Sequence, residues 1–367
     1  MEVILIISPE PWNAHHVSKH HYSQALASKG FKILFLEPPD SSLSEYQIIQ
    51  VEENPRILLL QGPPLARGLR FYPPFLVNLV QSKWLLKIES LIDKDISVVW
   101  LFENSRFFNL RFATNRLKIY HQVDLNQNFQ PRIAASTADI CFCTTDIILK
   151  KLRKYSSSVY KIHHGLAPIY KKSQLCADKL RVLQSHRINA AYIGNLDFPY
   201  LDHQLLASVI KQNPEVFFHL VGNISESSSF FIELKAYSNV LFWGKISSSL
   251  IPSLLDKVDI NIVCYKHSHQ EDQASPHKFM EYLASGKIII STYTAEYRDK
   301  SNLLAMSPSQ SNEHYPSLFK SVADNLIYWN DPIRMLERRK FANDNTYLRQ
   351  LECINTHLLR NNLPPVD

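Results

Sequence analysis

Short apolar runs alternate with stretches of helical periodicity along almost the whole chain of 367 residues. The helical patterns fill most of the gaps, for example at residues 17–28, 201–211 and 316–328. The strand-like runs lie at residues 3–8, 32–37, 57–60, 97–102, 117–122, 140–145, 159–163, 190–194, 216–222, 240–244, 260–265 and 288–292. Alternation of this kind predicts an α/β fold in which parallel sheets are covered by helices on both faces.

The alternating elements fall into two blocks, which a polar, basic stretch around residues 168–188 separates. A chain of this length is comfortable for two domains, each able to bury its own core. We therefore expect two doubly wound, Rossmann-like domains that face each other across a cleft. The amino-terminal domain would span residues 1–172 and the carboxy-terminal domain residues 185–340.

Composition narrows the class of protein. Hydrophobic residues make up 45% of the chain and charged residues 20%, as in a soluble globular protein. The chain begins with a short apolar run that lacks a basic leader, which predicts a first strand rather than a signal peptide. No segment has the length of an uncharged membrane span. Five widely spread cysteines favour a reducing compartment, so we expect a cytoplasmic protein.

The charge is unevenly distributed. Residues 1–187 contain 24 Lys and Arg against 15 Asp and Glu, whereas residues 188–367 contain 16 and 19. The basic half indicates an anionic partner, either a membrane surface, a phosphorylated acceptor or a nucleic acid. A solvated basic face without a partner is the alternative. Residues 71–92 mix aromatic, aliphatic and lysine side chains; they would lie on anionic lipid, or form a core helix with an exposed FYPPF end, and we favour the core helix.

The segment at residues 275–292, SPHKFMEYLASGKIIIST, predicts a helix followed by a buried strand. Ser275 can cap the helix and Pro276 fits its first turn, while Gly286 suits the left-handed residue just past its end. Lys278 would then occupy the third helical position, where the helix dipole disfavours a cation unless an anion is also present.

Lys278 and the free amides at this helix start together make a candidate phosphate site. Glu281 lies one turn further along on the same side, where its carboxylate could accept hydrogen bonds from ribose hydroxyls. The alternative is an ordinary surface helix whose lysine points into water.

Other candidate ligand contacts follow the predicted strands, since doubly wound sheets bind ligands at the carboxyl ends of their strands. Three glycines, Gly194, Gly222 and Gly244, each follow a strand of the second block and would let a nucleotide approach the backbone. The polar and aromatic candidates at these ends include Trp12, Glu103, His121, Asp124, Asn195, Lys245 and Tyr265.

At this point the chain resembles the GT-B glycosyltransferases, and the resemblance covers nearly all of it. The donor-binding helix SPHKFMEYLASGK is similar to that of the bacterial polysaccharide and teichuronic-acid type, or group 1, branch. The other segments that carry the resemblance are HYSQALASKG at 21–30, KIYHQVD at 118–124, ADICFCTT at 138–145, IHHGLAP at 162–168, AYIGNLD at 191–197 and FFHLVGN at 217–223. The tail resembles the family's final helices, which implies that residues 345–367 pack back on the first domain.

The resemblance implies transfer of a sugar, of the hexosyltransferase type, from a nucleotide diphosphate donor to a glycan, a lipid-linked acceptor or another hydroxyl. Carried over residue by residue, Glu281 would hold the ribose and Lys278 the diphosphate. The donor-binding set would be Gly194, Asn195, Gly222, Gly244, Lys245, Tyr265, Gln273, Ser275, Pro276, His277, Lys278 and Glu281. Many retaining members have a glutamate where Gln273 stands here, and this departure favours an inverting transfer.

An inverting transfer needs a general base against the acceptor hydroxyl. Asp124 is our first candidate, with His121, Glu103 and His20 behind it, and a turn or cap carboxylate is the alternative for Asp124. Trp12, His16 and His20 would lie on the acceptor side.

We expect neither a metal nor a cofactor. His16 and His20 have a metal-binding spacing, but no Cys or carboxylate completes the set. Asp93 and Asp95 precede a predicted strand, which indicates a surface turn. We also expect a possible peripheral position on the inner face of the membrane and no nucleic-acid partner, since no nucleic-acid module is present.

Two rival classes remain open. A nucleotide-sugar epimerase shares the two-domain fold but has no separate acceptor. A non-catalytic protein, either glycosyltransferase-like or binding nucleic acid, would explain the basic face but not the segment at residues 275–286.

Overall fold

The computed structural model describes residues 2–14, 16–125, 129–168, 174–176, 178, 183, 188–269, 276–308 and 311–366. The chain forms two compact units. One consists of Met1–Gly165 together with Tyr347–Asp367, and the other of Leu166–Thr346. The last segment of the chain therefore belongs to the same unit as the first.

The first unit is built on an eight-stranded sheet with the strand order β3-β4-β2-β1-β5-β6-β7-β8. Only the pair of β3 with β4 is antiparallel; the other neighbours in this sheet are parallel. The strands are β1 (Val3–Ile7), β2 (Lys32–Leu36), β3 (Gln47–Val51), β4 (Asn54–Gln61), β5 (Ile96–Leu101), β6 (Leu117–Gln122), β7 (Ile140–Cys143) and β8 (Val159–Lys161).

Helices cover both faces of this sheet. Within β1, Ile4 and Ile6 join one apolar cluster, whereas Val3, Leu5 and Ile7 join another on the opposite face. A strand buried on both faces is apolar throughout, as its sequence is. The helices of this unit are α1 (Ser18–Ser28), α2 (Pro74–Ile92), α3 (Pro131–Thr137), α4 (Asp146–Leu152) and the final helix of the chain (Tyr347–Arg360), which packs against α1.

The second unit is built on a six-stranded, fully parallel sheet with the order β11-β10-β9-β12-β13-β14. Its strands are β9 (Ile188–Ile193), β10 (Val216–Val221), β11 (Val240–Gly244), β12 (Ile260–Val263), β13 (Ile288–Ser291) and β14 (Ala305–Met306). Its described helices are α5 (His203–Gln212), α6 (Ser229–Leu234), α7 (Ile251–Leu255), α8 (Lys278–Ser285), α9 (Tyr315–Asp324), α10 (Leu326–Trp329) and α11 (Pro332–Asp344), so that the final helix of the first unit is α12.

The predicted α/β class and the two sheets of mostly parallel strands are confirmed. The sequence pattern missed β3, which pairs with β4 through a tight turn that contains no glycine, and the two-residue β14. Asp93 ends α2 in a left-handed conformation on the surface, so the pair Asp93 and Asp95 belongs to a turn, as predicted. None of the helices in the described ranges is long and apolar enough to cross a bilayer.

Candidate functional site

Helix α8 is the element that positions the predicted phosphate site of the second unit. It begins at Lys278 rather than at Pro276, so Lys278 is the first helical residue and not the third. The reason lies in the backbone: Phe279 donates to the Pro276 carbonyl at 3.3 Å, which is the tighter pattern of a turn. Gly286 ends the helix in a left-handed conformation with φ 81°, as predicted. Ser275 and Gln273 lie outside the described residues.

The middle and the carboxyl end of α8 are held by hydrogen bonds to other elements. The Tyr282 hydroxyl accepts a bond of 3.0 Å from the amide of Ile193, at the end of β9. Arg338 is fully buried and donates to the carbonyl oxygens of Gly286, Leu303 and Trp329 at 2.8–3.0 Å. Cationic side chains at a helix carboxyl terminus also interact favourably with the dipole. The middle of α8 is therefore fixed against the end of β9.

Lys278 lies against two aromatic rings. Its Nζ atom is 4.2 Å from the ring centroid of Tyr192 and 5.3 Å from that of Tyr265, within cation–π range. Loss of hydration lowers the pKa of the Lys278 ammonium to about 7, and the nearby Glu281 opposes this shift. The charged form of this lysine is thus short of solvation, a deficit that an anionic ligand would relieve.

Glu281 shows the complementary change. Loss of hydration raises the pKa of its carboxyl to about 7, and the charge of Lys278 opposes that shift. A carboxyl that holds its proton near neutrality can donate as well as accept a hydrogen bond. Lys278 and Glu281 are both partly accessible to solvent, so a ligand can reach them.

The predicted glycines line up at the ends of β9, β10 and β11. The amide of Gly194 donates to the Val221 carbonyl and that of Gly222 to the Gly244 carbonyl, each at 2.9 Å. A Cβ atom on Gly194 would lie 3.0 Å from the Lys278 Nζ atom, so this glycine makes room for the lysine. Gly222 makes room for the backbone of Gly194, while a Cβ on Gly244 would meet nothing within 4 Å.

The remaining predicted donor-binding residues that the structure describes follow strands of the second sheet or directly precede α8. Asn195 and Lys245 are exposed after β9 and β11, and Pro276 and His277 directly precede α8. Tyr265 is buried, and its amide donates to the Thr292 hydroxyl at 2.9 Å. Their roles as ligand contacts stay predictions.

Sequence reasoning missed Tyr192, whose ring carries the lysine. The sequence signal for this contact was that Tyr192 lies two residues before Gly194 in a buried strand. An aromatic residue in a buried strand is, however, usually only part of the core.

In the first unit, Asp124 follows the end of β6 with its side chain exposed. Loss of hydration raises the pKa of the Asp124 carboxyl. The charge of Lys19 opposes this shift, and the charge of Glu10 adds to it. Lys19 is only 3% exposed and forms an ion pair with Glu10. A buried cation beside the candidate base was missed, because a lysine within a helix pattern ordinarily indicates the solvent face.

His121 and Glu103 are held inside the first unit. His121 is 1% exposed among the rings of Tyr22, Trp100 and Phe102 at 5.0–6.2 Å, and burial lowers its pKa to about 3. Glu103 accepts hydrogen bonds from the Ser105 amide at 2.5 Å and from the Arg106 side chain at 2.6 Å. Because His121 and Glu103 are buried and Glu103 is hydrogen-bonded, Asp124 is the accessible one of these three candidate bases.

The predicted acceptor-side residues Trp12, His16 and His20 do pack together. The rings of His16 and His20 stack at 4.8 Å, and both lie within 5.4 Å of the Trp12 ring. His20 is buried, accepts from the Val17 amide at 3.1 Å and has Nε2 3.1 Å from the Pro11 carbonyl oxygen, and burial lowers its pKa to about 4. His16 alone of the two histidines is partly accessible.

Within the described part of the chain, no group of three or more His, Cys, Asp or Glu side chains is arranged to hold a metal ion.

Comparison with known proteins supports the fold assignment. No protein-family model matches the chain. A Bacillus subtilis protein that carries the name teichuronic acid biosynthesis glycosyltransferase TuaH is 26% identical over 161 residues. This match covers 42% of the chain and 40% of the relative, so it spans less than half of either protein.

Solved structures match over the full length. The sucrose-phosphate synthase of Thermosynechococcus elongatus aligns with 98% of this chain and 100% of its own, with a TM-score of 0.71 and 15% identity. Anabaena HepE, solved in complex with UDP, aligns with 98% of this chain and 100% of its own, with a TM-score of 0.69 and 13% identity. The chain therefore has the GT-B fold, and its resemblance to glycosyltransferases of the teichuronic-acid type is confirmed.

Proposed function

We propose that this chain is a glycosyltransferase that moves a sugar from a nucleotide diphosphate sugar to a hydroxyl of a glycan or lipid-linked acceptor. The observation that carries the proposal is the pair Lys278 and Glu281 at the start of α8. A lysine whose charge is poorly solvated, at the start of a helix and next to the strand-end glycine Gly194, suits a diphosphate. The relative's name and the UDP complex of HepE support the same reading.

In this proposal each residue has a defined task. The Lys278 ammonium neutralises the negative charge that builds up on the diphosphate as its bond to the anomeric carbon breaks. Glu281 binds the ribose hydroxyls. In an inverting transfer, Asp124 takes the proton of the acceptor hydroxyl while that oxygen attacks the anomeric carbon and the nucleoside diphosphate leaves.

The remaining parts of the proposal are a position at an anionic membrane surface on the cytoplasmic side, and transfer without a metal, another cofactor or a nucleic-acid partner. These expectations stay predictions. Uneven charge along the chain supports the first of them.

The direct test is thermal-shift binding of UDP, GDP, dTDP and CMP to the full chain and to two variants, Lys278→Ala and Glu281→Ala. We expect one nucleoside diphosphate to raise the melting temperature of the parent chain and of neither variant. Transfer is then measured with the matching sugar donor. Nucleotide affinity that survives both substitutions would show that the site is misassigned. Binding and slow conversion of the sugar without an acceptor would instead favour an epimerase.

A further inference from the structure

Helix α2 has an apolar face that is largely exposed among the described residues of its unit. Its inner face buries Val77, Trp84 and Ile88 in the first unit. Its outer face exposes Phe75 and Leu86, which are 69% and 61% accessible. A core helix would place charged or polar residues on that side.

The exposed apolar surface continues beyond the helix. Phe71 and Tyr72 precede α2 and are 71% and 50% accessible. Leu79 lies one turn from Phe75 on the same side, and Lys83 and Lys87 are exposed beside them. The α2 surface is defined here as Phe71, Tyr72, Phe75, Leu76, Leu79, Lys83, Leu86 and Lys87. Contiguous apolar patches of this kind mark interaction sites on soluble domains.

The exposed charged side chains within α2 and the segment just before it are basic. Residues 62–92 contain four basic residues, Arg67, Arg70, Lys83 and Lys87, and one acidic residue, Glu89. Glu89 is buried and its carboxylate is bound by Arg116 at 2.6 Å, so it does not offset the exposed cations. A partner of this surface must accept both aromatic side chains and positive charge.

A cavity of about 460 Å³ adjoins the α2 surface within the same unit. Its walls are mostly apolar, with Leu65, Leu69 and Phe71 among them. The charged residues that line it are Arg67, Arg70, Arg106 and Glu37, whose carboxylate accepts hydrogen bonds from the Trp12 amide and the Gln61 side chain. The Arg70 guanidinium lies 4.8 Å from the Phe71 ring centroid. Arginine is suited to phosphate, and a cavity of this size suits a ligand with an apolar part.

We propose that the α2 surface docks the protein on an anionic bilayer, with a lipid phosphate at Arg67 and Arg70 and the start of its chain in the adjoining cavity. Phe71, Phe75, Leu79 and Leu86 would enter the interface between headgroups and acyl chains, while the lysines meet anionic headgroups. Anionic lipid is preferred to a protein partner because the surface combines single-sign charge with aromatic residues along one helix. The inference rests on the membrane position in the proposed function, but it is independent of the sugar donor and of the reaction.

Flotation of the full chain with vesicles tests the proposal. We expect binding to vesicles of phosphatidylcholine mixed with phosphatidylglycerol, weaker binding as salt rises, and little binding to phosphatidylcholine alone. Lys83→Gln with Lys87→Gln should weaken binding about 25-fold, since each basic residue contributes about fivefold near an anionic surface. Phe75→Ser with Leu79→Ser should weaken it by about tenfold or more. Arg67→Ala with Arg70→Ala should reduce the preference for phosphatidylglycerol.

Matched control variants distinguish binding through the α2 surface from nonspecific hydrophobic adsorption to vesicles. Ile333 and Leu336 on α11 of the second unit are about as exposed, but the exposed charges of that helix have both signs, with Arg339 and Lys340 beside Glu337 and Asp344. Ile333→Ser with Leu336→Ser should leave vesicle binding unchanged, and so should Lys278→Ala, which separates docking from donor binding. Failure of the parent chain to float would overturn the proposal, as would equal binding to both vesicle types or loss of binding in the α11 control. It would also be overturned if Phe75→Ser with Leu79→Ser abolished a self-association seen without lipid.

Discussion

A Cβ atom on Gly222 would lie 1.8 Å from the carbonyl oxygen of Gly194 and 2.7 Å from its carbonyl carbon. The glycine at the end of β10 is therefore required by the backbone at the end of β9. Gly222 also has φ 141°, which side chains rarely adopt. Glycine at position 222 is thus needed for the packing of the backbone. It allows the end of β9, where Gly194 adjoins the Lys278 ammonium, to lie in its observed position.

We predict that Gly222→Ala destabilises the second unit by about 3 kcal/mol or more, since neither backbone can move without breaking the strand-end hydrogen bonds. Urea unfolding measures the change in free energy of unfolding. Gly244→Ala is the matched control: its φ of 65° is also left-handed, but the added Cβ meets nothing within 4 Å. That control should cost only about 1–2 kcal/mol. Equal losses in the two variants would contradict the close approach.

A second prediction concerns proton uptake on nucleotide binding. The pKa of the Lys278 ammonium is lowered to about 7, so above pH 7 the free site holds mostly the neutral amine. A bound diphosphate favours the ammonium form and raises that pKa. Binding at about pH 8 should therefore take up close to one proton, and affinity should fall as the pH rises further.

Titration calorimetry in buffers of different ionisation enthalpy measures this uptake. Lys278→Met should abolish both binding and uptake. Lys245→Met, at an exposed lysine of the same edge, is the control and should retain uptake. Binding without any proton exchange at pH 8 would mean that Lys278 does not contact the anion.

The hydrophobic pattern of the sequence was sufficient to predict the class of fold. Strands that are buried on both faces are apolar throughout and can be recognised as continuous apolar runs. β1 and β7 illustrate this, because every residue of both strands is apolar and buried. β3 was missed because it is a mostly exposed edge strand, with the pattern of a surface segment.

The candidate site was only partly accessible to the same reasoning. Lys278 and Glu281 stood out because their charges lie near the start of an amphipathic helix. The contact of Tyr192 with Lys278, and the burial of Lys19 beside Asp124, join residues far apart in the chain. Such contacts depend on the tertiary fold, and the local sequence pattern around each residue does not predict them.

A third prediction follows from the buried histidines of the first unit. Burial lowers the pKa of His20 to about 4 and that of His121 to about 3, against an ordinary value near 6.5. Between about pH 6.5 and 4 the unfolded chain therefore binds more protons than the folded chain, so stability falls as the pH is lowered through this range. Replacement His121→Phe removes one of these protons and should flatten the acid limb of the stability profile, measured by urea unfolding at several pH values. His314→Phe, at an exposed histidine, should leave that limb unchanged.

The last prediction separates the two carboxylates of the first unit. Asp124 is exposed at a strand end, whereas Glu103 is buried and bonded to Arg106 and to the turn after β5. Asp124→Asn should lower the rate of sugar transfer about 100-fold to 10,000-fold while changing the free energy of unfolding by less than about 0.5 kcal/mol. Glu103→Gln should lower that free energy by about 1–3 kcal/mol, because it weakens a charge-assisted network around Arg106. A stable but inactive Glu103→Gln variant, together with an active Asp124→Asn variant, would show that Glu103 and not Asp124 is the general base. Measuring turnover and urea unfolding on both proteins distinguishes the two assignments, because a base acts on the reaction and a turn carboxylate acts on the fold.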